Sequence, residues 1–379
     1  MFCSGKKSST RQLAPKSVVK QLGIFAPFAI STYIMINLHN MASLDLDKRH
    51  EIEKNHHKNI PNNTGSIDVR IQSILKAANI TIFDEEIAKQ LPTWDVVKSM
   101  YGDKPVIHGL ETCQRYREMI KPEDRTVGPA GLTNTGTNLL FELIRTNCAM
   151  PIKRQIHWQA PWGKHGLSSS RLNRTAPKEK GTNQTTFFPF MMIKDPFSWM
   201  NSQCRHSYGV TTWNSRHDEE HCPNLIRGDI TDHDETIPVK FLSSFTTHRS
   251  PSAITKHESL LDVYNYWYGD WEREQSKFPH LSIRYEDLLF HGEEVMKLAC
   301  ECVGGNFTDT FKYKGESVKG NEGPHKGSSG LVKALLLYGD PESRMHGFTD
   351  RDMRYARGNE ATSELMKKYA YNYPGPGLQ

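Results

Sequence analysis

Apolar and polar positions divide the chain into blocks of different period. Residues 21–44, QLGIFAPFAISTYIMINLHNMASL, contain no Asp, Glu, Lys or Arg, and the apolar centre covers 22–38. Residues 45–65 are polar and charged and read as a stem. Two helical patterns follow, around 71–78 and 84–101, and are expected to pack on the main body. From Asp124 onward the chain alternates between strand and helix signals. A glycine-rich turn at 128–136 leads into Leu139, Leu140, Leu143 and Ile144 at helical spacing. Residues 187–193, FFPFMMI, predict a strand buried on both faces, which turns at Asp195-Pro196 and continues as a helix. Residues 258–278 predict a long amphipathic helix, on which Tyr264, Trp267 and Trp271 (i, i+3, i+7) read as a core stripe. HLSIRYEDLLF, 280–290, reads as a strand ending in a loop, and 168–184 as an exposed insertion. There are no internal repeats. The alternation predicts an α/β domain over 121–379, with a central, mostly parallel sheet flanked by helices, preceded by a stem and helical extension at 45–120.

Charge changes the picture at the N-terminus. Residues 1–20 hold Lys6, Lys7, Arg11, Lys16 and Lys20 and no acid, and these five cations equal the whole net charge of +5. The body is therefore neutral, which argues against nucleic acid as a partner. A basic tail followed by a 24-residue uncharged segment, where about 20 residues suffice to span a bilayer, reads as a signal anchor through the membrane at 21–44. The positive-inside rule keeps tail 1–20 cytosolic and sends the rest into the lumen of the secretory pathway, as a single-pass type II protein. A cleaved signal peptide is the alternative, but the long basic region and the lack of a small-x-small cleavage site favour the anchor. Asn62, Asn79, Asn173, Asn183 and Asn306 head Asn-x-Ser/Thr acceptors, in keeping with that compartment. Six cysteines lie beyond the anchor, and the sequence leaves open whether they are paired and how. His217, His221 and Cys222 have no second pair at ligand spacing, so no metal is expected.

Two stretches carry candidate chemistry. In GPAGLTNTGTNLLFELIRTN, 128–147, small residues precede a helix, where free N–H groups and the helix dipole make an anion site. The plainer alternative is a loop that only caps the helix. It is not a Walker A loop, because Thr137-Asn138 stands where Lys-Ser/Thr is required. In MMIKDPFSWMNSQCRHSY, Lys194 sits at the carboxyl edge of a strand, where open α/β sheets bind ligands. Ser202 lies eight residues further on, and a helix folding back past the strand end brings both to one anion. A surface lysine and an ordinary helical serine are the alternative.

These stretches, in this order, resemble the sulfotransferases that use 3′-phosphoadenosine-5′-phosphosulfate (PAPS) as donor. The resemblance spans 128–330 and rests on four short motifs. NTGTN, 134–138, is similar to the loop that cradles the 5′-phosphosulfate, which implies donor contacts from Asn134, Thr135, Gly136, Thr137 and Asn138. KDPFSWMNS, 194–202, is similar to the Arg-x-Pro…Ser motif that holds the 3′-phosphate, with Lys194 for Arg and Ser202 in register. RYEDLL, 284–289, resembles a strand-end signature in which Glu286 and Asp287 have a structural role. HKGSSG, 325–330, resembles the loop that closes over the donor, through Lys326 and Gly327. QAPWGKHG, 159–166, lies between the two phosphate motifs, and there the resemblance implies His165 as general base. The chain departs from the pattern at Asn134, where lysine is usual, and at Lys194 and His325, where arginine is usual. Lys164 is the expected source of the charge that Asn134 lacks. The resemblance implies a sulfotransferase/P-loop-like fold and sulfation of a carbohydrate hydroxyl in the Golgi or another secretory-pathway membrane. A P-loop-type kinase for a small metabolite and a catalytically inactive relative are the alternatives.

Overall fold

Three parallel strands form the centre of the molecule, and the middle one follows from an apolar run. β2 (Thr126–Gly131) pairs with β4 (Phe187–Ile193), which pairs with β7 (Leu281–Arg284). β1 (Ile107–His108) closes the edge antiparallel to β7, giving the order β1-β7-β4-β2. All seven residues of β4 are buried, as expected for the middle of a sheet covered on both faces. This computed structural model describes residues 67–82, 84–173, 175–176, 181–206, 222–227, 235–242, 254–315 and 330–373. The basic tail, the predicted anchor, the stem up to residue 66, Asn62, His325, Lys326 and Gly327 lie outside the described residues. Among the described residues no helix is long and apolar enough to cross a membrane.

Helices flank the sheet. α1 (Val69–Ala77), α2 (Glu85–Gln90) and α3 (Trp94–Tyr101) come first, and Ile71, Leu75, Leu91, Trp94 and Val97 join the common core. The single helical pattern expected at 84–101 is thus two helices. Leu91 turns to an extended conformation before Pro92, and Thr93 starts the next helix by accepting the Val96 N–H. α4 (Thr112–Met119) precedes β2, and α5 (Thr137–Asn147) follows it. β3 (Cys148–Ala149) pairs antiparallel with β8 (Asn306–Phe307). α6 (Pro196–Arg205) follows β4. Its N-cap is Asp195, which accepts the Ser198 N–H, with Pro196 in the first turn. β5 (Val239–Leu242) and β6 (Ile254–His257) form a separate antiparallel pair. α7 (Leu260–Glu274) buries Tyr264, Trp267 and Trp271 against the core, as their spacing predicts.

YEDLLF is a helix, α8 (Tyr285–Phe290), and not the loop expected from sequence. Glu286 and Asp287 sit in its first turn, where carboxylates favour a helix N-terminus. α9 (Gly292–Cys302), α10 (Leu331–Tyr338), α11 (Pro341–Met345), α12 (Asp350–Gly358) and α13 (Glu360–Lys368) complete the described α-helices. The six cysteines beyond the predicted anchor form three disulfides, Cys113–Cys302, Cys148–Cys300 and Cys204–Cys222.

One irregular segment positions the site. Residues 155–164 run along the outer edge of β2. Val127 N donates to Gln155 O (2.9 Å), His157 N to Val127 O (2.7 Å), Ala160 N to Pro129 O (3.1 Å) and Gly131 N to Lys164 O (2.8 Å). The approach is close enough that a Cβ at Gly128 would stand 2.7 Å from the His157 carbonyl oxygen. Lys164 and His165 are thereby delivered to the carboxyl end of β2.

Candidate functional site

The glycine-rich loop leaves β2 at Gly131 and enters α5 at Thr137. Two of its residues take left-handed backbone angles, Asn134 at φ 63° and Gly136 at φ 82°. Asparagine tolerates that region better than most residues. Gly136 has a second constraint, because a Cβ there would stand 2.3 Å from Cδ2 of Tyr285. Thr135 Oγ1 donates to Leu132 O (2.7 Å) and closes the turn. Gly136 is the N-cap of α5 and supplies no side-chain acceptor to the first-turn N–H groups, Thr137 and Asn138 among them. A loop of this kind presents backbone donors and the positive end of the helix dipole to an anion.

Lys194 and Ser202 meet on one side of the loop. Lys194 Nζ donates to Ser202 Oγ at 3.0 Å, to Tyr338 Oη at 2.5 Å and to the Asn134 carbonyl at 3.4 Å. The ammonium also lies 4.4 Å and 4.2 Å from the ring centroids of Tyr285 and Tyr338. Lys194 and Ser202 are both buried. Arg205, exposed at the end of α6, donates to Ser202 Oγ at 3.1 Å. No carboxylate among the described residues comes within ion-pair distance of Lys194. A buried cation held by hydroxyls, a carbonyl and ring faces, with a second cation on the same serine, has the charge and donors that suit an anion. Burial pulls the Lys194 pKa below the usual lysine value, against the raising effect of Tyr338. Asn134 turns its amide away from the loop and donates to Ser202 O (3.2 Å) and His206 O (2.6 Å), tying the loop to the carbonyl end of α6.

Lys164 and His165 border the same loop. Lys164 is buried; its Nζ donates to Asn138 Oδ1 (2.6 Å) at the start of α5 and lies 3.1 Å from the ring centroid of Trp158. His165 is half-buried, and its Nδ1 lies 2.7 Å from the Gly131 carbonyl. A carbonyl only accepts, so Nδ1 carries the proton in the neutral ring and Nε2 is the basic nitrogen. Trp267 Nε1 donates to His165 O (3.1 Å) and fixes the backbone there.

Glu286 and Asp287 support the site from behind. Glu286 accepts the Asp195 N–H (3.1 Å) and the Tyr371 hydroxyl (2.7 Å), so it fixes the turn that starts α6. Asp195 in turn is paired with the buried Arg344. Burial and the neighbouring Asp195 push the Glu286 carboxyl up to about 7, outweighing the Tyr371 hydrogen bond and the Lys194 charge. Its value in the folded chain thus exceeds that in the unfolded chain, and the folded chain binds the proton more tightly. Glu286 therefore contributes stability fully below about pH 4.5 and loses it as pH rises to about 7, by up to about 3 kcal/mol. Glu286→Gln is expected to remove that fall, measured as urea-unfolding free energies at about pH 5 and pH 7.5. Equal pH slopes in parent and variant would show that Glu286 does not titrate in this range.

Sequence reasoning missed Arg205, Tyr285, Tyr338 and Arg344. Tyr338 and Arg344 come from a segment more than 130 residues after Ser202, and no local spacing signals their arrival. Arg205 was in view at i+3 from Ser202, on the same helix face, and that spacing could have found it. Comparison with known proteins adds no further assignment: no protein-family model, curated protein or solved structure matches the chain.

Proposed function

We propose that the chain is a PAPS-dependent sulfotransferase that sulfates a hydroxyl of a carbohydrate acceptor. The observation that carries this reading is the convergence on one loop of three groups. These are the uncapped first turn of α5, the buried Lys194–Ser202 pair with Arg205 beside it, and the Lys164–His165 pair. A donor with an anion at each end of its ribose suits the first two groups. The loop from Asn134 to Asn138 takes the 5′-phosphosulfate on its backbone N–H groups, and Lys194, Ser202 and Arg205 take the 3′-phosphate. Lys326 and Gly327 are expected to close over the donor, as the motif resemblance implies.

In the transfer step, His165 Nε2 accepts the proton of the acceptor hydroxyl as its oxygen bonds to sulfur. The bond from sulfur to the 5′-phosphate oxygen breaks, and adenosine 3′,5′-bisphosphate departs. Lys164 offsets the charge that grows on the leaving oxygen. The acceptor class rests on the luminal topology read from residues 1–44, since lumen-facing members of the family mostly modify glycans.

A kinase is disfavoured by a specific observation. It requires an acidic ligand for Mg²⁺, yet among the described residues Asp195, Glu286 and Asp287, the buried acids next to the ends of β4 and β7, are taken up by Arg344, the Asp195 N–H with Tyr371, and Arg284. The test is incubation of the luminal portion with sulfur-labelled PAPS and a panel of polysaccharides. Label transferred to a polysaccharide supports the reading. Phosphoryl transfer from ATP, or no transfer to any acceptor, overturns it in favour of a kinase or an inactive relative.

A further inference from the structure

The donors of Lys194 are fully committed. Its three N–H bonds go to Ser202 Oγ, Tyr338 Oη and the Asn134 carbonyl, and only 2% of the residue is exposed. The Ser202 hydroxyl gives its own proton to Ser198 O (2.8 Å), so toward Lys194 and Arg205 it acts as an acceptor. An anion can therefore reach Lys194 only by displacing a present partner. The Asn134 carbonyl belongs to the backbone, and Ser202 is fixed to the carbonyl of its own helix. Tyr338 is the partner at the end of a side chain, and its oxygen makes the shortest of the three contacts.

We propose that the phenol oxygen of Tyr338 is an internal stand-in for the anion, occupying the oxygen position beside Lys194 and Ser202 and leaving it when ligand binds. Its surroundings fit that role. The oxygen lies 2.5 Å from Lys194 Nζ and 3.4 Å from Ser202 Oγ, with Arg205 on the far side of that serine. Burial pushes the phenol up, but the charges of Lys194 and Arg205 outweigh burial and hold it at about 8. A position that favours a phenolate oxygen also favours a phosphate oxygen. The Tyr338 ring stands edge-on to Tyr285 (centroids 4.9 Å), and Tyr285 covers Gly136 of the loop. Departure of Tyr338 therefore links occupancy at Lys194 to the packing of the loop at the other end of the site. That the displacing anion is a 3′-phosphate rests on the sulfotransferase reading; the stand-in itself does not.

The test is Tyr338→Phe, which keeps the ring and removes the oxygen. Adenosine 3′,5′-bisphosphate is expected to bind the variant about tenfold tighter than the parent, because one competing charge-assisted hydrogen bond is gone. Adenosine 5′-monophosphate, which lacks the 3′-phosphate, is expected to bind both equally. Weaker or unchanged bisphosphate binding in the variant overturns the stand-in and makes Tyr338 an ordinary ligand or a bystander. A second measurement decides the matter if neither protein binds the nucleotide, an outcome that would sink the donor assignment alone. Absorbance titration at the phenolate band is expected to show a step near pH 8 in the parent that is absent from Tyr338→Phe. Inorganic phosphate is expected to raise the pH of that step. No such step, or a step that phosphate does not move, also overturns the stand-in.

Discussion

Replacing His165 by alanine is expected to lower turnover by about 10²–10⁴-fold, the usual range for a general base, while affinity for adenosine 3′,5′-bisphosphate stays nearly unchanged. The imidazole donates from Nδ1 to the Gly131 carbonyl, and that bond selects Nε2 as the nitrogen that receives a proton. It meets the loop at the Gly131 carbonyl, whereas the Lys194–Ser202 pair assigned the 3′-phosphate meets it at the Asn134 carbonyl. Loss of the ring therefore removes proton transfer and leaves the anion contacts standing. Lys164→Ala is expected to act in the same direction. Under the proposed reaction the leaving oxygen that Lys164 faces stays on the bisphosphate product, so in this variant the loss of turnover is expected to come with weaker bisphosphate binding. Steady-state transfer of labelled sulfate, with calorimetric binding alongside, separates the two effects. Turnover like the parent's in both variants would show that base and charge come from elsewhere.

Removing the side chain of Arg284 is expected to destabilise the fold by about 3–5 kcal/mol, the scale for breaking a buried ion pair by deleting one partner. Arg284 is fully buried. Its Nε and Nη2 atoms donate to Asp287 at 2.6 Å and 2.5 Å, Nη1 donates to the Tyr369 and Ala370 carbonyls, and Nη2 also to the Tyr101 carbonyl. One guanidinium thus joins α3, α8 and the chain beyond α13. Arg284→Ala would strand a buried carboxylate and three carbonyls. Arg284→Lys is expected to rescue little, since an ammonium cannot reproduce the planar fork. Urea unfolding at neutral pH measures the loss, and a loss under about 1 kcal/mol would contradict this account of the network.

The parts of the fold legible in the sequence are those that short-range chemistry determines. Seven consecutive apolar residues define β4, and the Asp195-Pro196 pair marks its turn into α6. The glycine loop and the stripe of Tyr264, Trp267 and Trp271 were legible for the same reason. α8 was missed because RYEDLLF has the apolar and aromatic content of a strand tail, while two acids in its first turn carried the helix signal. β1 is two residues long and is a strand only because β7 lies beside it, so no period could show it. At the site, the sequence order brought Lys194 and Ser202 into register, and the structure brings them together. Their partners are set by tertiary packing. Tyr338 reaches Lys194 across 144 residues, and Arg344 reaches Asp195 across 149. The disulfide pairing was likewise invisible, because spacing alone does not choose among connectivities.

The central claim is that the strand ends bind a nucleotide carrying both a 5′ and a 3′ anion, and calorimetric titration with adenosine 3′,5′-bisphosphate tests it most directly. One bisphosphate is expected to bind per chain. In Lys194→Ala, binding weakens about tenfold to a hundredfold, the loss expected for a charge-assisted hydrogen bond worth about 1.5–3 kcal/mol. Lys194→Arg retains binding, and adenosine 5′-monophosphate does not respond to either substitution. No binding to the parent, or equal bisphosphate affinity in parent and Lys194→Ala, would contradict that claim.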